Sequence, residues 1–318
     1  MELPQDIDPQ EFDETYRTTP QLWLAAVTET CSMHGLPTHP QRAFSDGSNL
    51  VAAVAEHFVV KLFPPFHRHQ WESERRFLEA VPGNRIPITV PTLLASGIRP
   101  DGWPYVIVSL LAGTSLESVW HTFTHREKAR ALEAIGTVIA AVHTLSPGDL
   151  RTLSPQWAPF FAAQMAGCRA RHVRLGLPEH LLRGLDAFLQ DALPTLPTQF
   201  TPRILTGEYT PFNLMAQQGS DGWVLSGMID FGDVMVGPGE YDLLGPSVFL
   251  AEGDRELVRA LFRGYGLADG VLTGESRRRL LALLLLHRYS NLNFQVRIPD
   301  WQSRAGSLDE LAQLIWPS

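Results

Sequence analysis

The feature that most limits how this chain can fold is a change of hydrophobic period near residue 111. Before it, short apolar runs broken by Gly and Pro read as strands; after it, apolar residues recur at helical spacing over long stretches. Leu50 to Phe63, rich in Val, Ala and Phe with a polar break at Glu56-His57, predicts two antiparallel strands joined by a tight turn, with Lys61 in the second. A helix over 71–81 and strands near 92–96 and 105–109 complete this part. Ahead of it, Thr19-Pro20 reads as an N-cap and first helical position, and Gly35 as the stop.

Beyond Gly113 the pattern predicts helices over 126–145, 157–172, 179–193, 256–264 and 276–296, with strand-like pieces at 203–205, 214–216 and 223–229. The expected organisation is α+β, with a β-rich part over 1–111 and a mostly helical part over 112–318. The 318 residues, 44% of them hydrophobic, supply a large core. A formal net charge of −8 and the absence of a basic block argue against nucleic acid as a partner. Cys31 and Cys168 form no Cys-x-x-Cys pair, which suggests neither a disulfide framework nor a thiolate metal site and fits a cytoplasmic protein. The N-terminal stretch, with Glu2, Asp6, Asp8, Glu11, Asp13 and Glu14, has the wrong charge for a secretory signal and reads as a solvated arm. The most apolar run, Leu280 to Leu286, is far below the roughly 20 residues that cross a bilayer and reads as a buried helix face, so no membrane partner is expected.

Two spaced motifs carry most of the chemical information. Thr206-Gly207-Glu208-Tyr209-Thr210-Pro211-Phe212-Asn213 precedes Ile229-Asp230-Phe231-Gly232-Asp233. Each alone reads as a polar turn or a strand end. Together they resemble the aminoglycoside phosphotransferase family, whose loop reads His-Gly-Asp-x-x-x-x-Asn ahead of an Ile-Asp-Phe-Gly-Asp segment. Val60 to Phe63, the Trp103 to Gly113 segment and the closing Leu308 to Pro317 are similar to bacterial hygromycin B kinases.

The resemblance implies a bilobal, protein-kinase-like α+β fold that binds Mg²⁺ and ATP, with GTP the alternative nucleotide, and transfers the γ-phosphoryl group to a hydroxyl of a small molecule. An aminoglycoside or aminocyclitol is the implied acceptor, and antibiotic resistance the implied role. Phosphoryl transfer asks a protein mainly for positioning and charge neutralisation. Glu208 is then the acceptor-orienting base, and Asn213 and Asp230 are the metal ligands. Lys61 grips the phosphates, Glu74 pairs with Lys61, and Glu72 is a competing partner two residues away. Ser48 and Asn49 lie in the phosphate-covering turn Ser45–Asn49, while Ser109 and Leu111 lie in the hinge whose backbone meets adenine. Asp242 is implied to brace the catalytic loop, and His143 reads as a satisfied core histidine.

Thr206 and Glu208 depart from the family's His and Asp, and the phosphate turn carries one glycine. Two other readings therefore stay open: a catalytically silent nucleotide-binding or scaffold protein, and a kinase for an endogenous metabolite. Glu240, Glu252, Asp254 and Asp300 are candidates to line a site for a cationic acceptor, whereas Arg288, Tyr289, Asn291 and Asn293, expected on the late helix, make a more neutral or basic lining. His67-x-His69 and His121-x-x-x-His125 have metal-compatible spacing but no completing carboxylate or cysteine, and read as surface histidines.

Overall fold

A computed structural model of the chain describes residues 2–81, 86–196, 199–207, 209–268 and 270–317. These divide into two compact units. One comprises Met1–Arg85, Thr89–Ala112 and Ile229–Val234; the other comprises Ile86–Ile88, Gly113–Met228 and Met235–Ser318. The short segment 229–234 thus clusters with residues that lie far before it in sequence, which no linear boundary near residue 111 reproduces.

The first unit is built on an antiparallel sheet of β1 (Gln41–Phe44), β2 (Leu50–Val54), β3 (Phe58–Leu62), β4 (Leu93–Ile98) and β5 (Pro104–Ser109), in the order β1-β2-β3-β5-β4. β3 is central, and Lys61 lies opposite Val51 on β2 and Val106 on β5. The β2–β3 turn falls one residue earlier than the polar pair suggests: Ala55 and Glu56 occupy its centre, with φ of 52° and 56°. Left-handed geometry at both central positions matches the strand twist and usually selects Asn-Gly, so the pairing on either side has to offset the steric cost.

The N-terminal arm is not simply solvated, as its charge suggested. Its six acidic residues are exposed, but Leu3, Ile7 and Phe12 between them are buried against Trp103 and the sheet. Trp103 Nε1 donates to Pro4 O at 2.8 Å, and Leu3 N donates to Asp101 Oδ2 at 3.1 Å. Thr19 makes no side-chain cap. Pro20–Leu22 is a single 3-10 turn, and the α-helix runs over Leu24–Met33.

The second unit holds a three-stranded sheet of β6 (Thr114–Ser115), β8 (Leu214–Gly219) and β9 (Gly222–Met228), and a pair formed by β7 (Arg203–Leu205) and β10 (Met235–Gly237). The helices His125–Thr144 and Arg255–Tyr265 cross so closely that a Cβ on Gly136 would lie 2.2 Å from Leu261 O, and one on Gly264 2.0 Å from Glu133 O. Leu280 to Leu286 are all buried. The late helix ends at Leu285 instead of continuing to 296, so Arg288 and Tyr289 lie in a turn and Asn291 caps a separate short helix, Leu292–Gln295. Its last carbonyl, Leu285 O, accepts from Arg171 Nη2 at 2.7 Å and His172 Nε2 at 3.0 Å, side chains of the helix Trp157–Arg174. No described helix is long and apolar enough to cross a membrane.

Candidate nucleotide and phosphoryl-transfer site

Within the first unit, the sheet and the helix Arg68–Ala80 bring three charged side chains together. Lys61 Nζ donates to Glu74 Oε2 at 2.6 Å and to Asp230 Oδ1 at 2.9 Å. Glu74 shares its helix face with buried Gln70, Ser73, Phe77 and Leu78, so the helical period aims its carboxylate at β3. Glu72 is turned to Arg76 and does not compete for the lysine. Phe77 stacks on Phe231 with centroids 4.4 Å apart, docking the 229–234 segment beside the helix.

Asp230 has φ of 66°, a strained conformation for a non-glycine residue, held by its lysine contact and the buried neighbouring ring. Burial alone would push the Lys61 ammonium down, but the carboxylates of Asp230 and Glu74 outweigh it and hold its pKa above the ordinary lysine range. Burial pushes the Glu74 carboxyl up to about 7, opposed by Lys61 and reinforced by the charge of Asp230.

Ser48 and Asn49 end the β1–β2 turn and fasten it to the same helix. Asn49 Nδ2 donates to Gln70 Oε1 at 3.2 Å, and Ser48 Oγ donates to it at 3.5 Å. Gly232 approaches Gln70 so closely that a Cβ there would lie 3.2 Å from Gln70 Cβ. Gln70 was not anticipated, although its place four residues before Glu74 on the helix is legible in the sequence. Ser109 ends β5 and accepts from Thr92 N through Oγ at 2.9 Å, while Leu111 follows, half-buried.

The second unit carries the Thr206–Asn213 loop between β7 and β8. Thr206 N and Gly207 N donate to Asp242 Oδ2 and Oδ1 at 3.1 and 2.8 Å, and Gly207 takes φ of 67°. Asp242 thus braces the loop as the sequence implied. His143 is a buried, satisfied histidine, linked through Nε2 to Asp242 Oδ2 and through Nδ1 to the Tyr265 hydroxyl. Further along, Ser115 Oγ and Glu117 N donate to Pro211 O. Asn213 N donates to Thr210 O at 3.2 Å, closing the turn that leads into β8. Glu208 lies outside the described residues.

The residues suit a magnesium nucleotide in one testable respect. Asp230 is 35% exposed, both hydrogen bonds of its carboxylate are made by Oδ1, and no described residue bonds Oδ2. That leaves an accessible oxygen of the hard type magnesium prefers, one ligand being enough when water and phosphate supply others. Among the described residues, no group of three or more His, Cys, Asp or Glu could hold a metal by itself, and both cysteines are free.

A β-rich unit with a lysine pinned between a helix glutamate and an aspartate, and a helical unit with a backbone-braced polar loop, define a protein-kinase-like α+β fold. Residues 41–281 match the profile of the phosphotransferase enzyme family, APH, and the chain belongs to that family. Similar solved structures include the GDP complex of wild-type aminoglycoside 2'-phosphotransferase-IIIa, with TM-score 0.68 and 19% identity over 93% of this chain and 99% of that one. Another is APH(3'')-Id from Streptomyces rimosus, with TM-score 0.59 and 19% identity over 83% and 97% of the two chains. A third is the streptomycin-ATP-APH(2")-IIa ternary complex, with TM-score 0.55 and 16% identity over 77% and 84%. At such identities the likeness carries the fold. The narrower resemblance to hygromycin B kinases rests on sequence alone.

Proposed function

We propose that the protein is an ATP-dependent O-phosphotransferase that moves the γ-phosphoryl group to a hydroxyl of a small molecule. The observation that carries this reading is the buried Lys61–Glu74–Asp230 cluster, which joins residues 169 positions apart and leaves an aspartate oxygen accessible. Bound Mg²⁺·nucleotide supplies the phosphoryl group and part of its charge neutralisation. Lys61 holds phosphate oxygens, and Glu74 fixes the ammonium in place. Asp230 and Asn213 are the metal ligands, Ser48 and Asn49 cover the phosphates, and the backbone from Ser109 to Leu111 meets the base. Glu208 orients the acceptor hydroxyl, and Asp242 holds the backbone of the two residues before it, Thr206 and Gly207. GDP and ATP in the solved relatives leave ATP and GTP both to be tested. Streptomycin and kanamycin are bound in two similar structures, and resistance to such compounds would follow if this chain takes them as acceptors.

Thr206-Gly207-Glu208 in place of His-Gly-Asp favours one other reading, a nucleotide binder that does not transfer. The first test is thermal unfolding of wild type, Lys61→Met and Asp230→Asn with and without Mg·ATP or Mg·GTP. Ligand at 100 times Kd stabilises by about 2.7 kcal/mol. A magnesium-dependent rise in wild type, reduced in both variants, is the expected result; no rise with either nucleotide would defeat the proposal. Release of ADP in the presence of an acceptor then separates the transferring from the silent protein.

A further inference from the structure

We propose that the acceptor surface beside the Thr206–Asn213 loop takes a hydroxyl compound with a planar apolar face, and not a polycation. This rests on the phosphotransferase reading above and names the acceptor class for it. Phe212 directly precedes Asn213 and is 39% exposed. Phe294, 57% exposed, stacks on it with centroids 5.8 Å apart and planes 10° from parallel. Phe249 is buried and meets both rings edge-on at 5.7 Å, forming the floor of the cluster.

Neither exposed ring sits on a loose tip. The residue before Phe212, Pro211, is held through its carbonyl by Ser115 Oγ at 3.2 Å and Glu117 N at 2.8 Å. Phe294 lies on the helix Leu292–Gln295, between buried Leu292 and Gln295, with its N–H capped by Asn291 Oδ1 at 3.3 Å. Single exposed apolar residues are ordinary. A fixed, contiguous pair, one ring on the residue before a proposed metal ligand and the other on a helix packed against it, is the kind of patch that marks a ligand site. Flat rings present their faces and edges best to another planar apolar surface.

The charge beside the rings and the candidate carboxylates of the helical unit argue the same way. Arg297 Cζ lies 5.2 Å from the Phe249 centroid and 5.9 Å from that of Phe212, and it is paired with Glu117 at 2.8 Å. A polycationic acceptor needs carboxylates with capacity to spare. Glu240 is paired with Arg279, Glu252 with Lys128 and Trp120 Nε1, and Asp254 caps its helix and bonds His125. Asp300 alone of these four candidates makes no described side-chain bond.

The test is calorimetric binding, with Mg²⁺ and a non-hydrolysable ATP analogue present, of three probes: 4-nitrophenyl β-glucoside, methyl β-glucoside and kanamycin. The two glucosides share ring hydroxyls and differ in the aromatic face. The expected result is that the aryl glucoside binds at least about 10-fold more tightly than either other probe. In Phe294→Ala that preference over methyl glucoside falls several-fold while the Mg·nucleotide stabilisation is retained; Phe294→Leu, which keeps apolar volume without a ring face, behaves in the same way. Equal binding of the two glucosides, or tighter binding of kanamycin, with nucleotide stabilisation intact, overturns this proposal alone. Loss of nucleotide stabilisation in wild type overturns the phosphotransferase reading and this proposal with it.

Discussion

Lys61 is 9% exposed and Glu74 3%, so each charge depends on the other for its place in the core. A buried ion pair contributes little over an apolar pair of the same volume, but removing one partner strands the other. Lys61→Met should therefore cost about 3–5 kcal/mol of folding stability, and Lys61→Met/Glu74→Gln should recover most of it. Urea unfolding midpoints would show this, and a double variant no more stable than the single one would show that the pair is not coupled in that way. Both variants should lose the nucleotide-linked stabilisation, because function requires the charge and not merely a filled core.

At the scale of elements, the junction between the helices Trp157–Arg174 and Gly274–Leu285 encloses a titratable group, His172. The ring is buried and bonded to Leu285 O at 3.0 Å. Burial pushes its pKa below the usual histidine value, with Leu285 O opposing and Arg171 reinforcing the shift. The unfolded chain then binds more protons than the folded one as pH falls below about 6.5. His172 contributes stability that is present above that value and lost as pH drops through its depressed folded pKa. The unfolding temperature should fall between pH 7.5 and 5.5, and His172→Gln, which keeps an N–H donor without the titration, should flatten that fall. An unchanged slope in the variant would assign the acid sensitivity to another group.

For the whole molecule, the decisive feature is that the first unit is discontinuous in sequence. Asp230 reaches Lys61 from 169 residues away, and Phe231 completes the packing of Phe77. A fragment ending at residue 112 contains the whole five-stranded sheet yet lacks the aspartate and the ring. Such a fragment should show no Mg·nucleotide-dependent rise in unfolding temperature, whereas the full chain should. A fragment with the full shift would show that the 229–234 segment is dispensable for nucleotide binding. Contacts of this sequence separation also add loop-closure entropy to folding, so formation of the cluster should be late.

Much of the local structure was legible beforehand because periodicity, glycine and proline act over a few residues. The strands around Lys61, the helix bearing Glu74, β7 and the helices His125–Thr144, Trp157–Arg174, Glu179–Ala192 and Arg255–Tyr265 lie within a few residues of where the sequence pattern puts them. The bracing role of Asp242 was implied by the family resemblance and the buried state of His143 by its place near the end of a long helix, and the structure supplies their partners. Other features required tertiary structure. Leu3, Ile7 and Phe12 are buried because Trp103 and the sheet offer them a surface, although the acidic neighbours made the arm look solvated. The helix Gly274–Leu285 stops short of 296 at Leu285, where side chains of a distant helix satisfy its final carbonyl, a competition invisible to local propensity. Gln70 became part of the site only when the turn at Ser48-Asn49 and Gly232 met on it. The sequence by itself determined which segments prefer strand or helix and which residue types could serve phosphoryl transfer. The tertiary structure alone decided which charges meet, which are spent on one another and which rings remain exposed, because those outcomes depend on contacts that close only when the whole chain has folded.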